Sequence, residues 1–245
     1  MNIGLLQCDH VAERFRHIAG DYLEMFGAVF GAYFNLVPFD VCNGEWPTSL
    51  DECDAYLCTG SRWSVYDDVP WIHDLKAFVQ RSYETSKPFI GICFGHQMMA
   101  EALGGKVEKS DYGWGVGIQP LEITRAETWM QPEQATLKLH YMHRDQVTRL
   151  PENSLVLGHS EHCPVAAFRV GDTMLGIQAH PEFTNEYSEA LLADRIERIG
   201  AERVQQARAS FVHNTDENVF AQWVVEFLAE NLKDSNYETV LHHHR

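Results

Sequence analysis

The sequence predicts an α/β fold in which a central, mostly parallel sheet is flanked by helices. Short apolar runs such as Ile3–Cys8 and Pro88–Ile92 alternate with segments of helical spacing over the first hundred residues. Continuously apolar strands that alternate with helices are typical of a parallel sheet covered on both faces. The composition, 45% hydrophobic and 22% charged, fits a globular protein.

The elements of this first part follow from hydrophobic spacing. The segment Val11–Phe26 places Phe15, Ile18 and Tyr22 on one stripe and is therefore predicted to be helical. The other helices expected here are Trp71–Tyr83 and Gly95–Leu103, and the strands are Ile3–Cys8, Tyr33–Phe39, Ala55–Cys58 and Pro88–Ile92.

The texture changes from about Lys106 to Phe183, where strand-like segments separated by turns predict a small antiparallel addition. The expected strands are Val116–Thr124, Thr136–Met142, Ser154–His159, Ala166–Val170 and Met174–Ala179, followed by helices at Glu186–Ile199, Ala201–Ser210 and Glu217–Leu232. Neither change of texture coincides with a linker. We therefore expect a single domain over residues 1–245, with about 233–245, including the run His242–His244, as a mobile tail.

The charge balance excludes some classes of partner. With 19 Lys and Arg against 35 Asp and Glu, the formal net charge is −16. Such a chain is repelled by phosphate backbones and anionic membranes, so neither nucleic acid nor membrane is expected as a partner. The N-terminal segment does not resemble a signal peptide, and no apolar run reaches the roughly 20 residues of a membrane span. A cytoplasmic protein with reduced thiols is predicted.

Cys93 is the first candidate catalytic residue. It stands between a predicted strand and a predicted helix, with Gly91 and Gly95 two residues away on either side. This pattern is typical of a nucleophile elbow, a sharp turn that lifts one side chain above the sheet. The helix N-terminus favours an anionic sulfur, and the amide of Phe94 would face an oxyanion. A buried, inert thiol is the alternative reading.

A thiol nucleophile requires a base, and the base an orienting group. His180 and Glu182 are two residues apart at the end of an apolar strand, so both side chains leave the same face. A carboxylate beside an imidazole fixes its tautomer and stabilises the imidazolium. Taken alone, the pair favours the simpler interpretation, a strand-end histidine followed by an ordinary exposed glutamate.

Together, Gly91–Gln97 (GICFGHQ) and His180–Phe183 (HPEF) resemble the motifs of the class I glutamine amidotransferase family, whose fold is flavodoxin-like. Tyr56–Ser61 (YLCTGS) is similar to the family's glycine-containing oxyanion strand. Met142–Val147 (MHRDQV) is similar to its His-Gly-Asp-Gln-Val segment, and Ser160–Phe168 to a stretch of GMP-synthase-like members.

The resemblance implies a role for each matching residue. Cys93 would attack the γ-amide of glutamine and form a thioester, with His180 as general base and acid and Glu182 as its orienting group. The amides of Gly60 and Phe94 would form the oxyanion hole. The residues expected to bind substrate are Gln97, His143, Arg144 and Asp145.

Two departures leave the substrate open. Arg144 replaces the usual glycine of His-Gly-Asp, and Ala179 stands where the family often has an aromatic residue. No glycine-rich phosphate loop is present, so the ammonia would serve a separate synthetase subunit. The alternatives are a γ-glutamyl peptide hydrolase, and a non-catalytic module of the same fold that uses Cys93 for ligand capture or redox sensing.

Further expectations concern ligands. Thirteen histidines invite a metal site, but His159, His162 and Cys163 do not form a set with zinc-like spacing, so neither metal nor cofactor is expected. The partners considered are a small-molecule substrate, a separate synthetase subunit and a second copy of the chain. Because the surface is acidic, Arg62 and Arg144 near the predicted pocket would favour small substrates captured at short range.

Overall fold

A computed structural model describes residues 1–232, which form eleven strands and eight α-helices. The strands are β1 (Asn2–Leu6), β2 (Asn35–Phe39), β3 (Ala55–Cys58), β4 (Phe89–Ile92), β5 (Lys106–Lys109), β6 (Gly115–Ile123), β7 (Thr136–His143), β8 (Asp145–Arg149), β9 (Ser154–His159), β10 (Ala167–Val170) and β11 (Met174–Ile177). The helices are α1 (Arg16–Ala19), α2 (Tyr22–Phe30), α3 (Pro70–Glu84), α4 (Phe94–Ala102), α5 (Asn185–Asp194), α6 (Ile196–Ile199), α7 (Ala201–Ser210) and α8 (Glu217–Asn231).

Nine strands form one sheet in the order β2-β1-β3-β4-β11-β10-β9-β6-β7, and β5 pairs with β8 in a separate two-stranded ribbon. The five strands from β2 to β11 are parallel, which confirms the predicted α/β class with a parallel centre. The predicted antiparallel addition is larger than expected. Four of its strands extend the central sheet itself beyond β11 instead of forming a separate unit.

Both faces of the central parallel strands β1, β3, β4 and β11 are buried, as their apolar sequences require. Along β1, Leu5 belongs to the core beneath α2 and α8, whereas Leu6 belongs to the core beneath α3 and α4. This alternation is the two-residue period of a strand. The large side chains that fill the two layers include Phe26 and Trp223 on the first face and Phe78 on the second.

Two predicted helices are divided in the structure. Val11–Phe26 is interrupted at Gly20, which has a φ of +80°, and the chain restarts at Asp21. The Asp21 carboxylate accepts a hydrogen bond from the amide of Tyr22, the first residue of α2, and the Glu24 carboxylate accepts one from the amide of Asp21. This capping box starts a new helix there. The expected helix Glu186–Ile199 is likewise divided after Asp194.

The turn from β4 into α4 requires glycine for steric reasons. A Cβ at Gly91 would lie 2.5 Å from the backbone of Gly95, and one at Gly95 would lie 2.5 Å from the carbonyl oxygen of Cys58. Helix α4 therefore packs directly against β3 and β4. This close approach sets the position of Cys93 above the carboxyl ends of the parallel strands.

No helix within residues 1–232 combines the length and apolar character needed to cross a bilayer. The predicted tail, about 233–245 with its histidine run, lies outside the described residues.

Replacing Gly95 with Ala is expected to destabilise the fold by about 1–3 kcal/mol, because the added methyl group meets the fixed backbone of β3. The matched control is Gly27→Ala in α2, where a Cβ would meet nothing within 4 Å. There alanine should be neutral or stabilising by up to about 1 kcal/mol. Denaturant unfolding of both variants tests this, and equal stabilities would contradict it.

Candidate active site

Three neighbouring parallel strands end at the same edge of the sheet, and each leads to one predicted site residue. Strand β3 leads to Gly60, β4 to Cys93 and β11 to His180. The three residues meet there: a Cβ placed on Gly60 would lie 2.9 Å from Cε1 of His180 and 3.7 Å from Cβ of Cys93. The carboxyl edge of a parallel sheet is the usual place for ligand sites in α/β folds.

Cys93 has a strained backbone, with φ +51° and ψ −96°. Its own amide donates to the carbonyl of Ile177 at 2.8 Å, and its carbonyl accepts from the amide of Gln97 at 3.0 Å. Strain in a non-glycine residue persists only where the surroundings hold it, and it is typical of functional turns. The amides of Gly60 and Phe94 find no acceptor within residues 1–232, so both remain available to a ligand.

His180 and Glu182 form a buried pair in which Nδ1 of His180 lies 2.8 Å from Oε1 of Glu182. The ring of Phe183 stacks on His180 with centroids 3.9 Å apart, and the amide of His180 donates to the carbonyl of His140 at 2.7 Å. Burial opposes a charge on His180. The negative charges of Glu182 and Cys93 outweigh it and raise the pKa of His180 to about 10.

Gln97 is held from two sides. Its Nε2 donates to the backbone carbonyl of Asp145 at 2.8 Å and to Oε1 of Gln178 at 3.0 Å, while Nε2 of Gln178 lies 3.5 Å from Sγ of Cys93. Gln178 was missed by the sequence analysis. It stands two residues before His180, so strand alternation could have placed both on one face.

The segment predicted to bind substrate lies against the same site. His143 is buried, its Nδ1 is 3.1 Å from the carbonyl of Asp145, and burial lowers its pKa to about 3, so the ring is neutral. The Asp145 carboxylate accepts from Ser64 Oγ at 2.5 Å and from Tyr66 at 2.9 Å. Asp145 therefore holds the loop that follows Gly60 in place. Arg144, the residue before it, is exposed.

Cys93 lies in a cavity of about 360 Å³. The residues that line it with Cys93 are Ser61, Arg62, Trp63, Ser64, Phe94, Gln97, Lys109, Trp114, His143, Arg144, Asp145, Arg195 and Arg198. Lys109, Trp114, Arg195 and Arg198 come from distant segments without any local sequence signal. The structure brings together at this cavity all four residues predicted to bind substrate, namely Gln97, His143, Arg144 and Asp145.

One group elsewhere in residues 1–232 has the composition of a metal site, namely His10, Asp40 and Cys42. Nε2 of His10 is 3.0 Å from Asp40 Oδ2, and Cys42 Sγ is 3.3 Å from Oδ1 of the same carboxylate. The three side chains thus satisfy one another by hydrogen bonding.

Comparison with known proteins agrees with this geometry. Residues 27–198 match the family described as glutamine amidotransferase class-I. γ-Glutamyl peptidase 3 of Arabidopsis thaliana is 31% identical over 74% of this chain and 76% of its own length. The GMP synthase of Thermosipho africanus is 31% identical over 69% of this chain but only 32% of its own length. A glutamine amidotransferase structure from Thermotoga maritima superimposes with a TM-score of 0.75 at 19% identity, covering 95% of this chain and 98% of that one.

The parallel sheet and the family match over residues 27–198 define a hydrolytic enzyme. The chain belongs to the class I glutamine amidotransferase family. Its flavodoxin-like fold, expected from sequence, is confirmed.

The Glu182→Gln variant is expected to lower the pKa of His180, because it removes the larger of the two charges that raise it. The matched control is Glu186→Gln, which removes a nearby charge that acts on His140 instead. Titration of His180 by NMR gives the measurement.

The same shift has a consequence for stability. In the folded chain the pKa of His180 lies above its ordinary value of 6.5, so the stabilisation by the charged ring is complete below pH 6.5. It is lost as the pH rises through about 10. A wild-type His180 that titrates near 6.5 would contradict both expectations.

Proposed function

We propose that this protein hydrolyses the γ-amide of glutamine through a thioester on Cys93. The observation that carries the proposal is the convergence of Cys93, the His180–Glu182 pair and two free amides at one edge of the sheet. Acyl transfer needs a nucleophile, a proton shuttle and donors for the oxyanion. The family membership supports the same chemistry.

In the proposed reaction, the Cys93 sulfur bonds to the amide carbon while the amides of Gly60 and Phe94 stabilise the oxyanion. The raised pKa of His180 means that a proton is already held there at neutral pH. His180 gives this proton to the leaving nitrogen, the C–N bond breaks and ammonia departs. His180 then takes a proton from water, whose oxygen bonds to the thioester carbon. The C–S bond breaks, glutamate is released and the Cys93 thiolate is restored. Glu182 keeps the ring oriented and stabilises its charge.

Gln97, His143, Arg144 and Asp145 are proposed to shape the substrate site. Gln97 and Asp145 act by positioning, because their polar groups are largely engaged with Gln178 and the loop of Ser64. The proposed location of this reaction is the cytoplasm.

A second candidate is hydrolysis of γ-glutamyl peptides instead of ammonia supply to a separate synthetase. It is favoured by the relatives: the chain matches about three quarters of γ-glutamyl peptidase 3 and only about a third of the GMP synthase. Purification from native extract separates the two. Glutamine turnover that requires a copurifying synthetase supports ammonia supply, and peptide turnover by the purified chain supports the hydrolase.

The Cys93→Ala variant is expected to lose more than about 1,000-fold in kcat for release of ammonia or glutamate, because the nucleophile is gone. Cys42→Ala is the matched control, a half-buried thiol that is outside the cavity. Wild type should also be alkylated at Cys93 by a diazoketone analogue of glutamine, with glutamine protecting. Equal turnover by wild type and Cys93→Ala would overturn the proposal in favour of a non-catalytic module.

Gly60→Ala should lower kcat by roughly 100-fold, because the new methyl group would displace the His180 ring by up to about 1 Å. The protein should remain folded, as a thermal unfolding curve would verify. Activity within twofold of wild type would show that the ring is not held against Gly60 in the working enzyme.

A further inference from the structure

The cavity around Cys93 carries a charge opposite to that of the whole chain. The protein has a net charge of −16, yet five cationic residues line this cavity against one carboxylate, that of Asp145. The cations are Arg62, Lys109, Arg144, Arg195 and Arg198. Because the whole chain has only 19 Lys and Arg against 35 Asp and Glu, this concentration of cations points to an anionic ligand.

Arg62 does not contribute to that excess, contrary to what its sequence position suggested. Its guanidinium donates to the buried carboxylate of Asp9 through Nε at 2.9 Å and Nη2 at 2.5 Å, and its amide donates to the same group. Asp145 accepts hydrogen bonds from the neutral hydroxyls of Ser64 and Tyr66 and keeps its charge. With Arg62 paired to Asp9, four cations remain in the lining against this one carboxylate.

The other four cations form no ion pair with a carboxylate in the described part of the chain. Arg198 lies over the ring of Trp114, 5.5 Å from its centroid. Elsewhere many arginines do have acidic partners, as in the pairs Arg14–Asp194 and Arg208–Glu189. Four cations without an acidic partner are thus gathered at this one cavity.

The cavity around Cys93 adjoins a second cavity, which offers room for a leaving group larger than ammonia. This second cavity, of about 550 Å³, shares Trp114, Arg144 and Arg198 with the first. It adds Arg203, whose guanidinium is held by the backbone carbonyls of Tyr112 and Trp114 at 2.7 and 2.6 Å. Asp111 and Glu202 also line this second cavity, so the cationic excess is greatest on the Cys93 side.

We propose that Lys109, Arg144, Arg195 and Arg198 form a subsite for a carboxylate on the leaving amine of a γ-glutamyl substrate. Guanidinium groups bind carboxylates through paired, charge-assisted hydrogen bonds. The leaving amine would extend from Cys93 past Arg144 and Arg198 toward the second cavity. This inference rests on the second candidate function, the hydrolysis of γ-glutamyl peptides, and specifies the leaving group of that reaction.

The test compares γ-glutamylglycine with γ-glutamylglycinamide, in which a neutral carboxamide replaces the carboxylate of the leaving amine. Wild type is expected to favour the carboxylate in kcat/KM by roughly tenfold or more. The double variant Arg195→Gln/Arg198→Gln should bring this ratio close to one. The control is Arg81→Gln, an exposed arginine outside both cavities that has no acidic partner in residues 1–232 and should keep the wild-type ratio.

Two outcomes would overturn the subsite. If the double variant loses equally on both peptides and on glutamine, the arginines bind the shared glutamyl group. If wild type shows no preference, the cations serve another anion, such as an acidic segment of a partner protein. Added salt gives an independent readout, since screening should lower the wild-type ratio.

The subsite can also be tested without turnover. Calorimetric binding of the two peptides to Cys93→Ala should show the same preference and the same loss in the triple variant that adds both arginine changes. If no peptide or glutamine is hydrolysed by wild type, the proposed function fails, and this binding experiment still decides whether the carboxylate subsite exists.

Discussion

The structure depends on one steric constraint, the direct contact of α4 with β3 and β4. Because Gly91 and Gly95 have no side chains, the helix starts immediately after the strand, and Cys93 is forced into a positive φ. The strained residue sits above the sheet, with its sulfur facing the ends of the neighbouring strands. The adjacent amide of Phe94 is at the helix N-terminus, where backbone N–H groups lack partners.

The electrostatics of the site follow from burial. His180 and Glu182 are both almost inaccessible to solvent, so their mutual attraction is weakly screened and holds a proton on the ring. His140 and His143 are also buried but are not hydrogen-bonded to a carboxylate, and burial lowers their pKa values to about 4 and about 3, in His140 against the opposing effect of Glu186. His180 is thus charged while the other two rings are neutral, because His180 is hydrogen-bonded to Glu182.

The net charge of the chain, −16, and the cationic charge of the cavity act over different distances. The acidic surface opposes association with nucleic acids and anionic membranes, while the local arginines act only at short range, within roughly the Debye length of about 10 Å. A small anion that reaches the cavity meets four cations that form no ion pair with a carboxylate in residues 1–232. Charge at the scale of the whole protein and charge at the site therefore act on different classes of molecule.

The sequence by itself determined the fold class and the order of most elements, because strand and helix periodicity are local patterns. It also placed Cys93 and the His180–Glu182 pair at the ends of predicted strands, and the resemblance to the amidotransferase family added Gly60 as a candidate. The sequence did not determine that Gly20 and Asp21 break the first helix, since a cap outweighs hydrophobic spacing there. Nor did it locate Lys109, Arg195 and Arg198 at the cavity or pair Arg62 with Asp9. Those contacts join segments far apart in the chain, and only the tertiary structure decides them.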